Sequence, residues 1–390
     1  MNKIIKFIKY LIEFVKYIIL FPIAILLYSK RKIYIISERG YDARDNGYIF
    51  FKYMREKHKE KNCFYVIKKD SADYNKVLPL GNIITYRSFK HYLYFIAAKY
   101  KISTHAYGYT TYSEFYYKIE RYFPFYGKKV FLQHGITKDN LPMLYKERTH
   151  FDLFCTASKY EYEYIIENFH YDSNVVVKTG FARFDKLNSK DLKNQILVMP
   201  TWRRELSSCS DEQFMKSDYY KNWMKFINSD ILIKELENNN TNLIFYLHIE
   251  FQKYSKLFTS KSKNIIIAKF ENYDVQELLL KSKLLITDYS SVFFDFSYMN
   301  KPSIYYQFDL KQYRKNHYKE GYFDYEQMGF GDVVFKYNDL IDRTLKIIEN
   351  NYLVDIKYKK RITDFFDIRD TNNCKRIYEA INKIGDQNEK

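Results

Sequence analysis

The chain has few of the residues that break or cross-link structure. Only 6 prolines and 11 glycines occur among 390 residues. Those that fall in loops therefore mark tight turns or a close approach to backbone or ligand. The 4 cysteines, Cys63, Cys155, Cys209 and Cys374, are far apart, form no Cys-x-x-Cys pair and suggest no disulfide framework, which fits a reducing compartment. Histidines and cysteines never reach zinc-ligand spacing and His-Glu-x-x-His is missing, so no metal site is expected. There is no Walker A loop, no Gly-x-Gly-x-x-Gly and no Gly-x-Ser-x-Gly, which argues against a lysine-anchored phosphate loop, a dinucleotide fingerprint and a serine-hydrolase elbow. Zinc-finger, helix-turn-helix and RNP patterns are absent, and the basic residues are spread along the whole chain. Nucleic acid is thus the weakest explanation of a formal charge of +17. Phospholipid head groups or a phosphorylated substrate suit it better.

Aromatic residues are abundant, at 19% of the chain, and apolar runs recur throughout, so the chain folds and is long enough for two domains. Residues 1–32 place Lys3, Lys6, Lys9, Glu13 and Lys16 at helical spacing between apolar residues, the pattern of a basic amphipathic helix at an interface. The apolar run that follows, 17–28, is shorter than the ~20 residues a bilayer span needs. Lys30, Arg31 and Lys32 would hold the segment against an anionic cytoplasmic leaflet. A peripheral, membrane-associated segment on the cytoplasmic face is expected; a true span, or a surface helix packed on the body of the protein, remains the alternative.

Beyond it, short apolar strands alternate with helical segments. Strands are expected in 33–37, KNCFYVIKK, NIITYRSF, KISTHAY and KKVFLQHG, with a helix from Asn46; HYLYFIAAKY reads as either helix or strand. FDLFCTAS, a helix over 159–169 and NVVVKTG complete a first half. After the polar stretch 186–194, QILVMPTW, a helix through 215–238, NLIFYLHI, NIIIAKF, LLITDYSS, a helix to Met299, PSIYYQFD and DVVF repeat the pattern. This is βαβ alternation, and it predicts an α/β protein of two Rossmann-like halves with parallel sheets and a cleft between them. The expected domains are the membrane segment 1–32, a first Rossmann-like domain 33–190, a second Rossmann-like domain 191–350 and helices packing across both in 351–390.

The chemistry-bearing groups fall at or just beyond strand ends. In 284–296 an apolar strand leads into Asp288, Ser290 and Ser291 and then a helix bearing Asp295. Hydroxyls at a helix start can hold a phosphate, although the same residues make an ordinary cap. His134, in VFLQHGITKD, can take a proton from a hydroxyl near neutral pH, or be a buried structural histidine. His248, in NLIFYLHIE, holds the equivalent place in the second half. Arg183 lies in TGFARFD; Thr201, Trp202 and Arg203 lie in MPTWRRE, where an arginine after a strand can grip phosphate through two N–H groups. Arg39, Asp42, Arg44, Asp45 and Asn46 could face a phosphate or form a salt-bridged turn.

Four blocks carry a resemblance: QHGITKD (133–139), TGFARFD (179–185), LVMPTWR (197–203) and TDYSSVFFDFSYMNKPSIYY (287–306), the last continued by FDLKQYRKNHYKEGYFDY. In order and spacing they resemble the CDP-glycerol glycerophosphotransferase family of teichoic acid and capsule polymer enzymes. The resemblance implies a GT-B-like fold and a transferase moving glycerol-phosphate or ribitol-phosphate from a CDP-alditol to the hydroxyl of a lipid-linked acceptor, releasing CMP, with no tightly bound cofactor. It implies His134 as catalytic base, His248 at the donor diphosphate, Ser290 and Ser291 beside it, and Asp288, Thr201, Arg203 and Arg183 around the donor. Ile136 stands in place of the family's usual Thr, with Thr137 next to it, and His248 lacks both the Lys and the Pro of the family's Lys-Leu-His-Pro stretch, with Leu247 and Ile249 beside it. A sugar-nucleotide glycosyltransferase of cell-surface polysaccharide synthesis and a non-catalytic membrane-surface scaffold are the alternatives.

Overall fold

The computed structural model describes residues 3–188, 191–316 and 319–386. Outside them lie the first two residues of the expected membrane segment, part of the polar stretch 186–194, His317 and Tyr318 of the last block, and the final residues of the C-terminal segment. The chain divides into two compact units. One comprises Met1–His134, Pro142–Asp185 and Asp370–Lys390, the other Gly135–Leu141 and Lys186–Arg369. One passage between units comes at Asp185–Lys186, where the polar stretch 186–194 begins, and the excursion at 135–141 and the return at 370 have no counterpart in the sequence reading. Of the C-terminal helices, Ile356–Phe365 belongs to the second unit and Asn373–Asp386 to the first.

The first unit is built on strands β1 (Tyr34–Ser37), β2 (Cys63–Ile67), β3 (Ile83–Thr85), β4 (Tyr100–Ser103), β5 (Lys128–Phe131), β6 (Leu153–Thr156) and β7 (Val176–Lys178). They form one parallel sheet in the order β3-β2-β1-β4-β5-β6-β7. The second unit has β8 (Gln195–Val198), β9 (Asn242–Tyr246), β10 (Ile265–Ala268), β11 (Leu284–Thr287), β12 (Ser303–Tyr306) and β13 (Gly331–Val334). These are also parallel, in the order β10-β9-β8-β11-β12-β13. Most strands are buried along their whole length, as expected of sheets covered on both faces. Each sheet reverses its winding once, between β1 and β4 and between β8 and β11, and ligands of such sheets bind outside the strand carboxyl ends at those points.

Serine caps explain two differences from the expected helices. The run 215–238 is not one helix but parts of three, Asp211–Lys216, Asp218–Ile227 and Asp230–Asn238, because Ser210, Ser217 and Ser229 each accept an N–H of the following turn and restart the helix. HYLYFIAAKY divides into a helix, Phe89–Ala97, capped by Ser88, and the start of β4.

The N-terminal segment is one helix, Lys3–Lys30, long and apolar enough to cross a membrane. Its Tyr17, Leu20 and Ala24 are buried in a cluster with Tyr92, Phe95 and Phe115 of the first unit. Tyr17 Oη lies 2.5 Å from Thr111 Oγ1, and Glu13 accepts from Tyr92 Oη at 2.7 Å. Ile4, Ile8, Leu11, Val15, Ile19 and Leu26 are exposed. One side therefore packs on the body, and another presents an apolar face.

Candidate active site

In the second unit, the predicted groups gather on three neighbouring strand ends around the β8/β11 reversal. Thr201, Trp202 and Arg203 follow β8, His248 follows β9, and Asp288, Ser290 and Ser291 follow β11. Arg203 is buried, 1% exposed, and Asp288 is fully buried. Arg203 Nη2 donates to Asp288 Oδ2 at 2.8 Å and to Asp309 Oδ1 at 3.0 Å; its Nε donates to Asp309 Oδ2 at 2.7 Å. The guanidinium also lies over the rings of Tyr219, Tyr289 and Tyr313. Asp288 Oδ1 accepts from the backbone N–H groups of Thr201 (2.8 Å) and Tyr289 (2.6 Å). Arg203 and Asp288 thus spend their charge on each other and on the loops, locking the β8 loop to the β11 loop. Thr201 is buried, with its hydroxyl unpartnered among the described residues.

His248 is half-buried and stacks on Trp202 with centroids 6.1 Å apart. Its Nδ1 accepts from the Glu250 N–H at 3.3 Å, which places the proton of the neutral ring on Nε2 and makes that nitrogen a donor. Ser290 and Ser291 are half-buried. Ser291 precedes the helix Val292–Tyr298, and its side chain makes no capping hydrogen bond. The plain-cap reading of this serine therefore does not hold. Asp295 is buried on the same helix.

The segment 135–141 of the His-Gly block belongs to this unit. A Cβ on Gly135 would sit 3.0 Å from Ser291 Oγ, so the glycine lies directly against the serine turn. Further along, Lys138 pairs with Asp139, and Asp139 Oδ1 accepts from Arg314 Nη1 at 2.6 Å. Asn140 bridges to Lys319, its N–H donating to the Lys319 carbonyl at 3.1 Å. Burial lowers the Lys138 pKa; Lys138 and Arg314 together hold Asp139 below the ordinary carboxylate value against its own burial. The residues after His-Gly are thus a strap fastened by Arg314, Lys319 and Gly321.

In the first unit, His134 follows β5 and ends that part of the unit. The chain before it is clamped. Gln133, in the left-handed region at φ 57°, donates to the Cys155 carbonyl at 2.7 Å and to Glu161 Oε1 at 3.0 Å. Asn46 Nδ2 donates to the Gln133 carbonyl at 2.7 Å, and its Oδ1 accepts the Arg183 N–H at 3.0 Å. Arg183 Nη1 donates to Asp45 Oδ1 at 2.8 Å. His105, which follows β4, stacks on His134 with centroids 4.8 Å apart and planes 8° apart. His134 is exposed overall, yet the protein around its ring lowers its pKa, with Arg183 and Arg39 adding to that and Asp45 and a hydrogen bond to the Thr104 backbone opposing it. Burial first, then His134 and Arg39, drives His105 down to about 2. Both rings are neutral near pH 7. His105 escaped the sequence reading although KISTHAY carries the same signal as His134, a histidine at a strand end.

The 39–46 turn forms its own ion pairs. Arg39 Nε lies 3.1 Å from Asp42 Oδ2, Arg44 Nε 2.8 Å from Asp73 Oδ2, and Asp45 bonds Arg183. Buried Glu38 accepts the N–H groups of Arg44, Asp45 and Tyr48 and anchors the turn.

Two doubly wound units with polar loops at each winding reversal define an α/β protein of the two-lobed, GT-B-like kind. The comparisons with known proteins narrow this. The model of the CDP-Glycerol:Poly(glycerophosphate) glycerophosphotransferase family matches residues 19–383, and the chain belongs to that family. It is 35% identical over 368 residues to the minor teichoic acid biosynthesis protein GgaB of Bacillus subtilis (strain 168), an overlap of 91% of this chain and 40% of GgaB. The chain therefore spans about two fifths of that relative's length. It is 26% identical to a teichoic acid glycerol-phosphate transferase of Staphylococcus aureus (strain NCTC 8325 / PS 47), over 91% of this chain and 94% of that protein. Among solved structures, a histidine variant of the wall teichoic acid polymerase TagF soaked with CDPG superposes with a TM-score of 0.67 at 20% identity, over 100% of both chains. At that identity the likeness establishes the fold.

Proposed function

We propose that the chain transfers glycerol-phosphate or ribitol-phosphate from a CDP-alditol to the hydroxyl of a lipid-linked acceptor in teichoic acid or capsular polymer synthesis, releasing CMP. The observation that carries this reading is the seat of Gly135 against Ser291. It ties the histidine block to the serine turn in a chain whose family match spans both. The CDPG soak of the related polymerase and the glycerol-phosphate transferase of similar length support the donor class.

In this mechanism neutral His134 takes the proton of the acceptor hydroxyl. The acceptor oxygen bonds to the β-phosphorus of the CDP-alditol, the bond from that phosphorus to the bridging oxygen breaks, and CMP leaves with the electron pair. Ser290, Ser291 and His248 Nε2–H stabilise the charge on the diphosphate, a role that needs positioned donors rather than covalent chemistry. Arg203 and Asp288 hold the loops that carry Thr201 and the serines, and burial of the His134 ring, with a smaller contribution from Arg183, lowers its pKa. The apolar face of Lys3–Lys30 seats the enzyme on the cytoplasmic membrane surface as a peripheral protein.

The test is purified protein incubated with CDP-glycerol, CDP-ribitol and UDP-sugars in the presence of a lipid-linked acceptor. CMP release from one of the CDP-alditols, lost in His134→Ala, is expected. Release of UMP or UDP without CMP would overturn the reading in favour of a glycosyltransferase.

A further inference from the structure

A second basic hollow lies in the first unit, on the β2 and β3 side of the sheet and apart from His134. It has a volume of about 520 Å³ and is lined by Tyr41, Lys68, Lys69, Asp70, Tyr86 and Arg87 among others. Three cations face one carboxylate. The hollow is built from strand ends: Ile67 and Thr85 are register partners at the last positions of β2 and β3, so Lys68 and Tyr86 emerge side by side. The loop after β1 closes it. The Lys68 N–H donates to the Gly40 carbonyl at 2.8 Å. Gly40, at φ +83°, lies so close to Tyr86 that a Cβ would meet its ring at 2.5 Å.

Arg87 is the unusual member. It holds a left-handed backbone, φ 60°, a conformation that costs a non-glycine residue free energy and persists only where its surroundings enforce it. Two contacts enforce it. The Arg87 N–H donates to Nδ1 of buried His91 at 3.1 Å, and Arg87 Nε donates to the Thr111 carbonyl at 2.7 Å. Burial holds His91 neutral, down to about 4, so its Nδ1 can accept. The Thr111 hydroxyl meets Tyr17 of the N-terminal helix. Thr111 thereby links the guanidinium to the helix with the apolar face. Lys68, Lys69 and Arg87 are all exposed and form no ion pair among the described residues, unlike Arg183, Arg203 and Arg314. A strained, doubly tethered arginine beside two unpaired lysines is a phosphate-binding arrangement.

We propose that this hollow binds the phosphate or diphosphate of the membrane-borne acceptor, a subsite separate from the donor diphosphate. Its assignment to an acceptor rests on the transferase reading above; phosphate recognition as such does not. An anionic phospholipid head group offers the same chemistry, so the test has separate arms. Titrate the full chain, in detergent, with a short-chain alkyl diphosphate. In parallel, measure co-sedimentation with phosphatidylglycerol vesicles. Compare wild type with Lys68→Gln/Lys69→Gln and with Arg87→Asn, which tolerates the left-handed backbone; thermal unfolding checks that each variant folds.

Alkyl diphosphate binding weakened at least tenfold in both variants, with a matching rise in KM for the lipid-linked acceptor, is the expected result. Equal binding by wild type and folded variants would overturn the proposal. So would variants that lose only vesicle binding, which would make the hollow a head-group site. If the chain released CMP from no CDP-alditol, the transferase reading would fall, while the titration would still decide whether the hollow takes phosphate.

Discussion

Arg203 separates a ligand-gripping role from a structural one, and the structure predicts the second. Replacing it with Met removes the donors to Asp288 and Asp309 and leaves two carboxylates facing each other in a buried setting. Breaking a buried charge pair by deleting one partner costs about 3–5 kcal/mol. Three tyrosine rings around the guanidinium lose their cation at the same time. For a unit of this size each kcal/mol moves the melting temperature by about 2–4 °C, so a fall of roughly 6–20 °C is expected. The chain has 2 tryptophans, Trp202 and Trp223, both in the second unit, so intrinsic fluorescence follows this unit alone. Arg203→Lys keeps the charge but not the fork and falls between wild type and Arg203→Met. Adding Asp288→Asn and Asp309→Asn to Arg203→Met recovers part of the loss, because the uncompensated charges go. A folded Arg203→Met protein with a loss below ~1 kcal/mol and abolished CDP-glycerol binding would refute this reasoning and make Arg203 a direct donor ligand.

Three further outcomes follow from the same geometry. In Gly321→Ala the new methyl would lie 2.2 Å from the Lys138 carbonyl oxygen; overpacking costs about 1–3 kcal/mol, and the strap 135–141 loosens. Urea unfolding and CMP release both report it, and an unchanged protein would remove the strap from the account. For His134, the pKa is lowered, so the neutral base persists below pH 6.5 and the rate falls only as pH drops through the lowered value. Arg183 contributes to that lowering, so Arg183→Gln moves the acid limb of the kcat/KM profile to higher pH. A limb that stays put, or moves to lower pH, contradicts the assignment. Ile8→Asn with Ile19→Asn removes two exposed side chains from the N-terminal helix. Each buried side chain of this kind contributes about 1.5–3 kcal/mol, so partition onto vesicles should fall more than tenfold, and unchanged partition would mean this face does not meet the bilayer.

The alternation of strands and helices was legible because parallel strands buried on both faces are continuous apolar runs. Strand ends were legible for the same reason: His134, His248, Thr201 and Asp288 all lie where an apolar run stops. Legibility failed where long-range contacts decide. Nothing local in ITKDNL shows that 135–141 joins the second unit, since its partners, Arg314, Lys319 and Gly321, come some 175 residues later. Asp185 looks like a site residue beside Arg183, yet it accepts the N–H groups of Asn373 and Cys374 and starts the final helix. The helix expected over 215–238 failed for a local reason that the sequence did contain, the serines at 217 and 229.

Burial also reverses the weight given to charge. From sequence, the arginines beside the strand ends are the natural phosphate ligands of a chain carrying +17. In the structure they are already engaged, Arg183 with Asp45 and Arg203 with Asp288 and Asp309, as is Arg314 of the helix Leu310–Asn316 with Asp139. Their work is to hold loops at fixed spacing, which matters because phosphoryl transfer is chiefly positioning. On the proposed function, donor recognition falls to neutral donors, Ser290, Ser291 and His248 Nε2–H, whose strength depends on a dry, preorganised setting rather than net charge. Positive charge without an ion pair also gathers at Lys68, Lys69 and Arg87, and Arg87 is linked through Thr111 to the helix with the exposed apolar face. A diffusing nucleotide and a membrane-held acceptor pose different problems: the first needs a shaped pocket with aimed hydrogen bonds, the second a cation that retains a phosphate at the surface where it already resides. The two sites proposed for this chain match that division.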